Sequence, residues 1–315
     1  MTGPGSTTRR GTSRNSPYRR PANHAQRDLR LAAFLIAPAA VAIVTVMIVP
    51  LGFAIVASLF HYQLGREAEA TFAFLDNYVR FFTDPVAARS LLNTLLFTAI
   101  SLTLCIVVGM GMAVFLNSLP RRTGNVLRAV FAMPVLISPI IVSLIWRYMY
   151  DPTYGIIFYL FRMVGLGGFG GLTSSTTALL CIAIADVWAS APFIMLVVSA
   201  GLASIPEEYY EAAKIDGANA FHSLFNITIP LLYKVLVVLI LIRGTDAFRV
   251  FDLVYGLTGG GPANSTTSLS IYAYKQAFEN NQMGFAMAVA VITLFGLVIL
   301  FGPLMRNSAR QKEGS

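Results

Sequence analysis

Long runs of apolar residues alternate with short polar stretches along the chain. The long apolar runs cover residues 31–60, 90–119, 129–150, 177–203, 229–255 and 283–305. The hydrocarbon core of a bilayer is about 30 Å thick, so a helix needs about 20 apolar residues to cross it. The pattern therefore predicts an all-α integral membrane protein with six transmembrane helices.

Charged residues interrupt the fourth and the fifth apolar runs. The fourth contains Asp186, and the fifth contains Arg243, Asp246, Arg249 and Asp252 at intervals of three residues. This spacing brings neighbouring charges within reach of an ion pair on one half of a helix, and we expect Arg243 to pair with Asp246. Charges inside a bilayer usually face a protein interior or an aqueous path. Two interpretations stay open: a ladder of ion pairs shielded by packing, or a face that lines a substrate path or contacts a partner.

The composition supports a membrane protein and excludes a nucleic-acid-binding one. Hydrophobic residues make up 56% of the 315 residues and charged residues only 12%, whereas a soluble domain carries about 25% charged residues. The net charge of +8 is not concentrated on one amphipathic face with interleaved aromatic residues, as a nucleic-acid groove would require. We therefore expect a lipid bilayer around the chain and no nucleic-acid partner.

The distribution of basic residues predicts the orientation of the chain. Seven arginines lie in residues 1–30, a stretch rich in Ser, Thr, Gly and Pro that predicts a disordered cytoplasmic tail. Further basic residues follow the second and sixth runs, at Arg121, Arg122, Arg128, Arg306, Arg310 and Lys312. By the positive-inside rule, both termini and the segment 204–230 face the cytoplasm. The loops that then face outside are 61–89, 151–176 and 256–282.

Residues that would support catalysis or metal binding are scattered. Cys105 and Cys181 lie inside apolar runs, which predicts small core residues, and the histidines belong to separate segments, at His24, His61 and His222. No nucleophile–base grouping or metal-ligand spacing emerges, so we expect no catalytic residue and no metal site. The glycine-rich stretch 256–262 lacks the Lys-Ser/Thr of a Walker A loop. ATP hydrolysis would therefore require another chain.

The segment 204–230 is a polar stretch between two apolar runs. Ser204 and Glu207 fit a capping box that begins a helix of about three turns, and Gly217 fits the left-handed residue that ends it. Asn219 is expected to cap a second short helix, whose apolar positions recur at helical spacing, at Phe221, Leu224 and Phe225. Residues 207–216 contain four acids and one lysine. A segment that only lay on anionic lipid would favour basic residues, so we expect a docking surface for a cytoplasmic protein.

These residues resemble a known family. Glu211-Ala212-Ala213, then Gly217, then Ile-Thr-Ile-Pro ending at Pro230, is similar to the EAA loop of permease subunits of binding-protein-dependent ABC importers, apart from Ile229, where the family commonly has leucine. The flanking sequences resemble the carbohydrate-uptake branch of maltose and glycerol-3-phosphate type. They include Asp-Val-Trp188, Pro-Phe193, Ala-Gly-Leu202, Ile-Pro-Glu207, Phe-Asp252 and Thr-Gly-Gly-Gly-Pro262.

The resemblance implies a permease of an ABC importer in a bacterial cell membrane, with a transmembrane domain at 31–305 and cytoplasmic tails at 1–30 and 306–315. It implies a second permease subunit, an extracellular substrate-binding protein, and two ATPase subunits that carry ATP and Mg, with no cofactor in this chain. The ATPase subunits would dock at the 204–230 loop. The coupling residues would be Glu211, Ala212, Ala213, Asp216, Gly217 and Pro230.

A sugar presents hydroxyl groups and apolar C–H faces, so its path needs hydrogen-bonding groups beside aromatic rings. The candidates are Asp186, Trp188, Arg243, Asp246, Phe251, Asp252 and Tyr255. The alternative function is a secondary transporter driven by an ion gradient, with Asp186 and the fifth run as proton or sodium sites. Inverted repeats of broken helices would favour that alternative, and the sequence pattern shows none.

Overall fold

The computed structural model describes residues 22–165 and 168–313. Helix α1 begins at Ala22, ahead of the predicted tail boundary at residue 30, and residues 1–21 lie outside the described part. The helices are α1 (Ala22–Ile43), α2 (Val49–Ala57), α3 (Asp76–Thr83), α4 (Pro85–Asn117), α5 (Arg121–Ala132), α6 (Pro139–Met149), α7 (Ile156–Met163), α8 (Ala178–Leu202), α9 (Glu208–Ile215), α10 (Ala220–Ser223), α11 (Ile229–Leu231), α12 (Tyr233–Phe248), α13 (Asp252–Thr258), α14 (Leu269–Tyr274) and α15 (Met283–Glu313). The strands are β1 (Phe60–His61) and β2 (Thr71–Phe72).

The chain divides into two compact units, of which the first ends at Phe53 and the second begins at Ala54. In the second unit β1 and β2 form an antiparallel pair, with Phe60 opposite Phe72. The buried side-chain amide of Asn77 on α3 donates to the carbonyls of Ser58 and Phe60, at 2.8 and 3.0 Å. This small element lies in the loop predicted to face outside.

Candidate membrane spans fall into two classes. Among the described residues, four helices are long and apolar enough to cross a bilayer alone, at Ala33–Ala57, Pro85–Asn117, Ala178–Leu202 and Met283–Arg306. Two bent pairs pass the same test together, Arg121–Leu136 with Pro139–Met149 at 97° and Ala220–Leu231 with Tyr233–Phe248 at 76°. The count is therefore four, or six if each bent pair is one span. The structure thus contains broken helices that the sequence pattern did not reveal, and broken helices also occur in secondary transporters.

The bend between α5 and α6 has a local cause. A proline disfavours the helical conformation of the residue before it, and Ser138, before Pro139, is extended with φ −59° and ψ 139°. Ile137 is also extended, with φ −90° and ψ 130°. The helical path of α5, continued by the 3₁₀ turn Met133–Leu136, therefore stops, and α6 starts in a new direction. Apolar composition alone does not reveal such a break.

Helices α4 and α8 pack closely in the core. A Cβ added at Gly109 on α4 would lie 2.7 Å from the Ala191 carbonyl and from the Ile194 Cβ on α8. Only glycine allows this approach. The free Cys105 and Cys181 are both fully buried in apolar clusters, which confirms them as core residues.

Candidate functional site

A cleft of about 600 Å³ opens beside α8, between the break that separates α5 from α6 and the junction of α12 with α13. One wall comes from the break between α5 and α6, and another from the end of α12 and the start of α13. The cleft is lined from these parts by Pro134, Val135, Ile137, Pro139, Val142, Asp186, Ala189, Ser190, Phe193, Ile242, Arg243, Asp246, Arg249, Val250, Phe251, Asp252 and Leu253. Helix breaks at membrane depth are tolerated where they are buried in protein or line a cavity.

An ion pair between two helices lies at one side of the cleft. The Arg243 guanidinium on α12 donates to the Asp186 carboxylate on α8, and both side chains are largely buried. The Ser101 hydroxyl on α4 donates to the same carboxylate oxygen and accepts from Arg243 at 3.3 Å. Three helices are thus joined by one polar cluster.

The expected pairing of Arg243 with Asp246 is therefore wrong. Asp246 instead accepts from Arg249 at 3.4 Å, and both side chains are more than half exposed. The four-residue ladder is also interrupted, because α12 ends at Phe248 and Asp252 lies in the first turn of α13. The spacing argument assumed one continuous helix, so it did not predict the end of α12 at Phe248 or the ion pair of Arg243 with Asp186 of α8.

The aromatic candidates divide into two groups. Phe251 lines the cleft and stacks on Tyr255, with ring centroids 5.4 Å apart and planes at 13°. Tyr255 also contacts Tyr274 edge-on at 5.4 Å. Trp188 lies outside the cleft lining and packs against Trp146 at 6.0 Å. The cleft thus brings together five of the seven predicted pathway residues directly, Asp186, Arg243, Asp246, Phe251 and Asp252.

Sequence reasoning missed three polar or aromatic neighbours of this site. Ser190 lies one turn after Asp186, and its hydroxyl is 3.5 Å from that carboxylate. Phe193 lines the cleft from the same helix. The position of Ser190 relative to Asp186 on one helix could have identified it, whereas Ser101 is brought in by the packing of α4 and had no signal in the sequence.

The 204–230 segment contains α9, α10, a π-helical turn at Leu224–Thr228 and the start of α11, but it lacks the predicted capping box. The Ser204 hydroxyl donates to the Gly201 carbonyl at 2.7 Å, so it is engaged with the end of α8. Helix α9 begins at Glu208 with no side-chain cap and has eight residues, shorter than the predicted three turns. The predicted end and the second cap are confirmed: Gly217 is left-handed at φ +76°, and Asn219 Oδ1 accepts from the His222 N–H at 2.8 Å.

The surface of this segment is both charged and apolar. Glu211, Ala212, Asp216 and Pro230 are exposed, whereas Ala213 is buried. Large apolar side chains are also exposed, at Tyr209, Ile215, Phe221 and Phe225. The Tyr210 and Thr228 hydroxyls hydrogen bond at 3.0 Å and tie the two halves together. The segment therefore presents an ordered, partly apolar surface that no other described part of the chain packs against.

Comparison with known proteins identifies the family. Residues 105–312 match the family described as binding-protein-dependent transport system inner membrane component. The trehalose/maltose transport system permease protein MalF of Thermococcus litoralis is 35% identical over 279 residues, covering 87% of this chain and 92% of that protein. The trehalose transport system permease protein SugA of Mycobacterium tuberculosis H37Rv is 36% identical over 271 residues, covering 86% of each chain.

A solved structure shares the fold. The chain resembles a protein in the crystal structure of a bacterial ABC transporter involved in the import of the acidic polysaccharide alginate, with a TM-score of 0.77 and 21% identity. The match covers 91% of this chain and 98% of that one. The family match, the sequence relatives and the shared fold agree: this multi-pass membrane protein belongs to the family of binding-protein-dependent transport system inner membrane components, the permease subunits of ABC importers.

Proposed function

We propose that this permease forms, with a second permease subunit, the pathway for ATP-driven uptake of a sugar or sugar derivative. The observation that carries the proposal is the cleft, where hydrogen-bonding side chains and an aromatic ring gather at helix breaks. Discontinuous helices are where transporters commonly bind their solutes. The names of the relatives, which include trehalose and maltose permeases, support a sugar as the solute.

The side chains of the cleft suit sugar chemistry. The carboxylates of Asp246 and Asp252 accept hydrogen bonds from hydroxyl groups, and the Ser190 hydroxyl can donate or accept. Phe251 offers a ring that Tyr255 holds by stacking, and an apolar C–H face of a sugar packs on such a ring. Trp188 contributes through the packing of α8 and has no place in the cleft wall.

Uptake into proteoliposomes that contain the complete importer tests this role. Phe251→Ala should lower sugar uptake at least about tenfold, since the loss of one pocket contact is commonly worth that much. The amount of assembled importer, measured by co-purification, should stay near the wild-type level. Phe295→Ala is the matched control, because Phe295 on α15 is 62% exposed and lies outside the cleft. Equal uptake by both variants would remove the cleft from the pathway.

The 204–230 loop is proposed to dock the ATPase subunits, which bind ATP and Mg. The exposed apolar residues Ile215 and Phe221 beside the acidic Glu211 support a protein partner, because exposed apolar patches mark interaction sites. In this arrangement both termini lie in the cytoplasm of a bacterial cell. An extracellular binding protein delivers the solute from the opposite side of the membrane.

Charge reversal on the loop tests the docking. Glu211→Lys should reduce co-purification of the ATPase subunits and abolish uptake, because an exposed acid in an interface is replaced by a base. Glu279→Lys makes the same change at an exposed site on the loop predicted to face outside, and should leave association intact. Undiminished association and uptake in Glu211→Lys would contradict the coupling role.

The driving force separates the proposal from a secondary transporter. The helix breaks are a feature that such transporters share, so the energy source has to be measured. Uptake should require ATP inside the proteoliposomes and should persist when an ionophore removes proton and sodium gradients. Uptake that follows the gradient and ignores ATP would favour the alternative.

A further inference from the structure

One of the charged side chains that line the cleft has no partner of opposite charge within the described residues. Both arginines that line it are held by an acid, Arg243 by Asp186 and Arg249 by Asp246. A fifth charge, Asp252, also lines the cleft, and its exposed carboxylate makes no hydrogen bond or ion pair within the described part of the chain. The five ionisable side chains therefore sum to one net negative charge, and the unmatched group is an acid.

An anionic solute would meet arginines that are already paired with acids. Recognition of a carboxylate or a phosphate favours an arginine that offers two parallel N–H groups. The Arg243 Nη2 already donates to Asp186 and Ser101, and Arg249 donates to Asp246 and to the Thr245 carbonyl. An anion bound at either arginine would compete with the acid already held there, and it would bring a further negative charge into a cleft whose ionisable side chains already sum to one net negative charge.

A neutral polyol meets better-suited groups. Asp252 has free acceptor oxygens, and the second oxygen of Asp186 is met only by Ser190 at 3.5 Å. Solute hydroxyl groups can donate to these oxygens without breaking either ion pair.

We infer that the cleft takes an uncharged polyhydroxylated solute and discriminates against anionic ones, with Asp252 as the residue that sets this preference. The inference rests on the proposed function, because it names the charge class of the sugar that the cleft accepts. The shared fold does not set this preference, since a protein of the same fold belongs to an importer of an acidic polysaccharide. The side chains at the helix breaks set it.

The test compares maltose with its aldonic acid, maltobionate, which gains a carboxylate and has an opened reducing-end ring. Neutral maltitol, which also ends in an open chain, is the matched control and should bind as maltose does. The purified complete importer is placed in lipid nanodiscs without the binding protein, so that the selectivity of that protein does not enter. Binding is measured by saturation-transfer NMR. The wild type should bind maltose at least about tenfold more tightly than maltobionate, the effect of one unfavourable charge contact.

Replacement of the unmatched acid should reverse the preference. Asp252→Arg should bind maltobionate more tightly than maltose, whereas Glu279→Arg, at an exposed acid outside the cleft lining, should keep the wild-type preference. Equal binding of the two solutes by the wild type, no binding of either, or an unchanged preference in Asp252→Arg would each overturn the inference. ATP-driven sugar uptake by the same importer would in those cases still uphold the proposed function.

Discussion

Asp186 and Arg243 are 57 positions apart in the chain and form an ion pair that joins α8 to α12 inside the second unit. Both side chains are largely buried. Arg243 also lies against the Cys105 sulfur at 3.9 Å. Ser101 is the other polar side chain that contacts both members of the pair, so each charge depends mainly on the other for its neutralisation.

Removal of one partner should destabilise the importer more than removal of both. Asp186→Ala or Arg243→Ala leaves a buried charge alone, which costs about 3–5 kcal/mol, and the double variant should recover part of this loss. Melting temperature and co-purified complex measure it. Asp246→Ala with Arg249→Ala is the matched control, since exposed pairs contribute about 0.2–1 kcal/mol. Strictly additive losses for Asp186 and Arg243 would contradict the pairing.

Gly217 should tolerate substitutions according to backbone preference. Its φ of +76° is left-handed, and a Cβ there would meet no atom within 4 Å, so the cost is conformational and not steric crowding. Asn adopts this region readily, whereas Val does not. Gly217→Asn should keep most ATP-driven uptake, and Gly217→Val should lose it while the chain still inserts. Equal uptake by the two variants would show that the left-handed turn is not required.

Orientation can be read from thiol labelling at exposed positions. A cysteine at Asn280, which is exposed, should react with an impermeant reagent applied outside cells, and one at His222, also exposed, should not. Cys105 and Cys181 are replaced first, although their burial already protects them. Labelling at His222 alone would invert the proposed topology.

The contribution of Asp84 to the stability of the N-terminus of α4 should be lost at low pH. Burial raises the pKa of Asp84, but the Tyr272 hydroxyl at 2.6 Å and the Val86 N–H outweigh it, so the pKa lies below its ordinary value. A lowered pKa contributes stability that is present above the unfolded value of about 3.9 and is lost as the pH falls through the folded value. The stability advantage of wild type over Asp84→Asn should therefore shrink below about pH 4 in melting experiments. A difference that stays constant with pH would contradict this.

Sequence periodicity predicted the apolar elements well and the contacts between them poorly. The left-handed Gly217 and the Asn219 cap depend on neighbouring residues only, and both are confirmed. The partner of Arg243 depends on which helices pack together, which a spacing of three residues does not encode. Ser204 does not cap α9, because its hydroxyl donates to the Gly201 carbonyl in the last turn of α8. The end of α8 thus engages the side chain that was predicted to cap α9.

Because position 109 has no side chain, the backbone of α4 lies directly against Ala191 and Ile194 of α8. Residues 203–207 alone separate the end of α8 from α9, the first helix of the 204–230 loop. In the proposed coupling, a displacement of the loop is therefore expected to move α8 and α4 together. Because both helices contribute to the Asp186 cluster, such a displacement would reach the wall of the cleft.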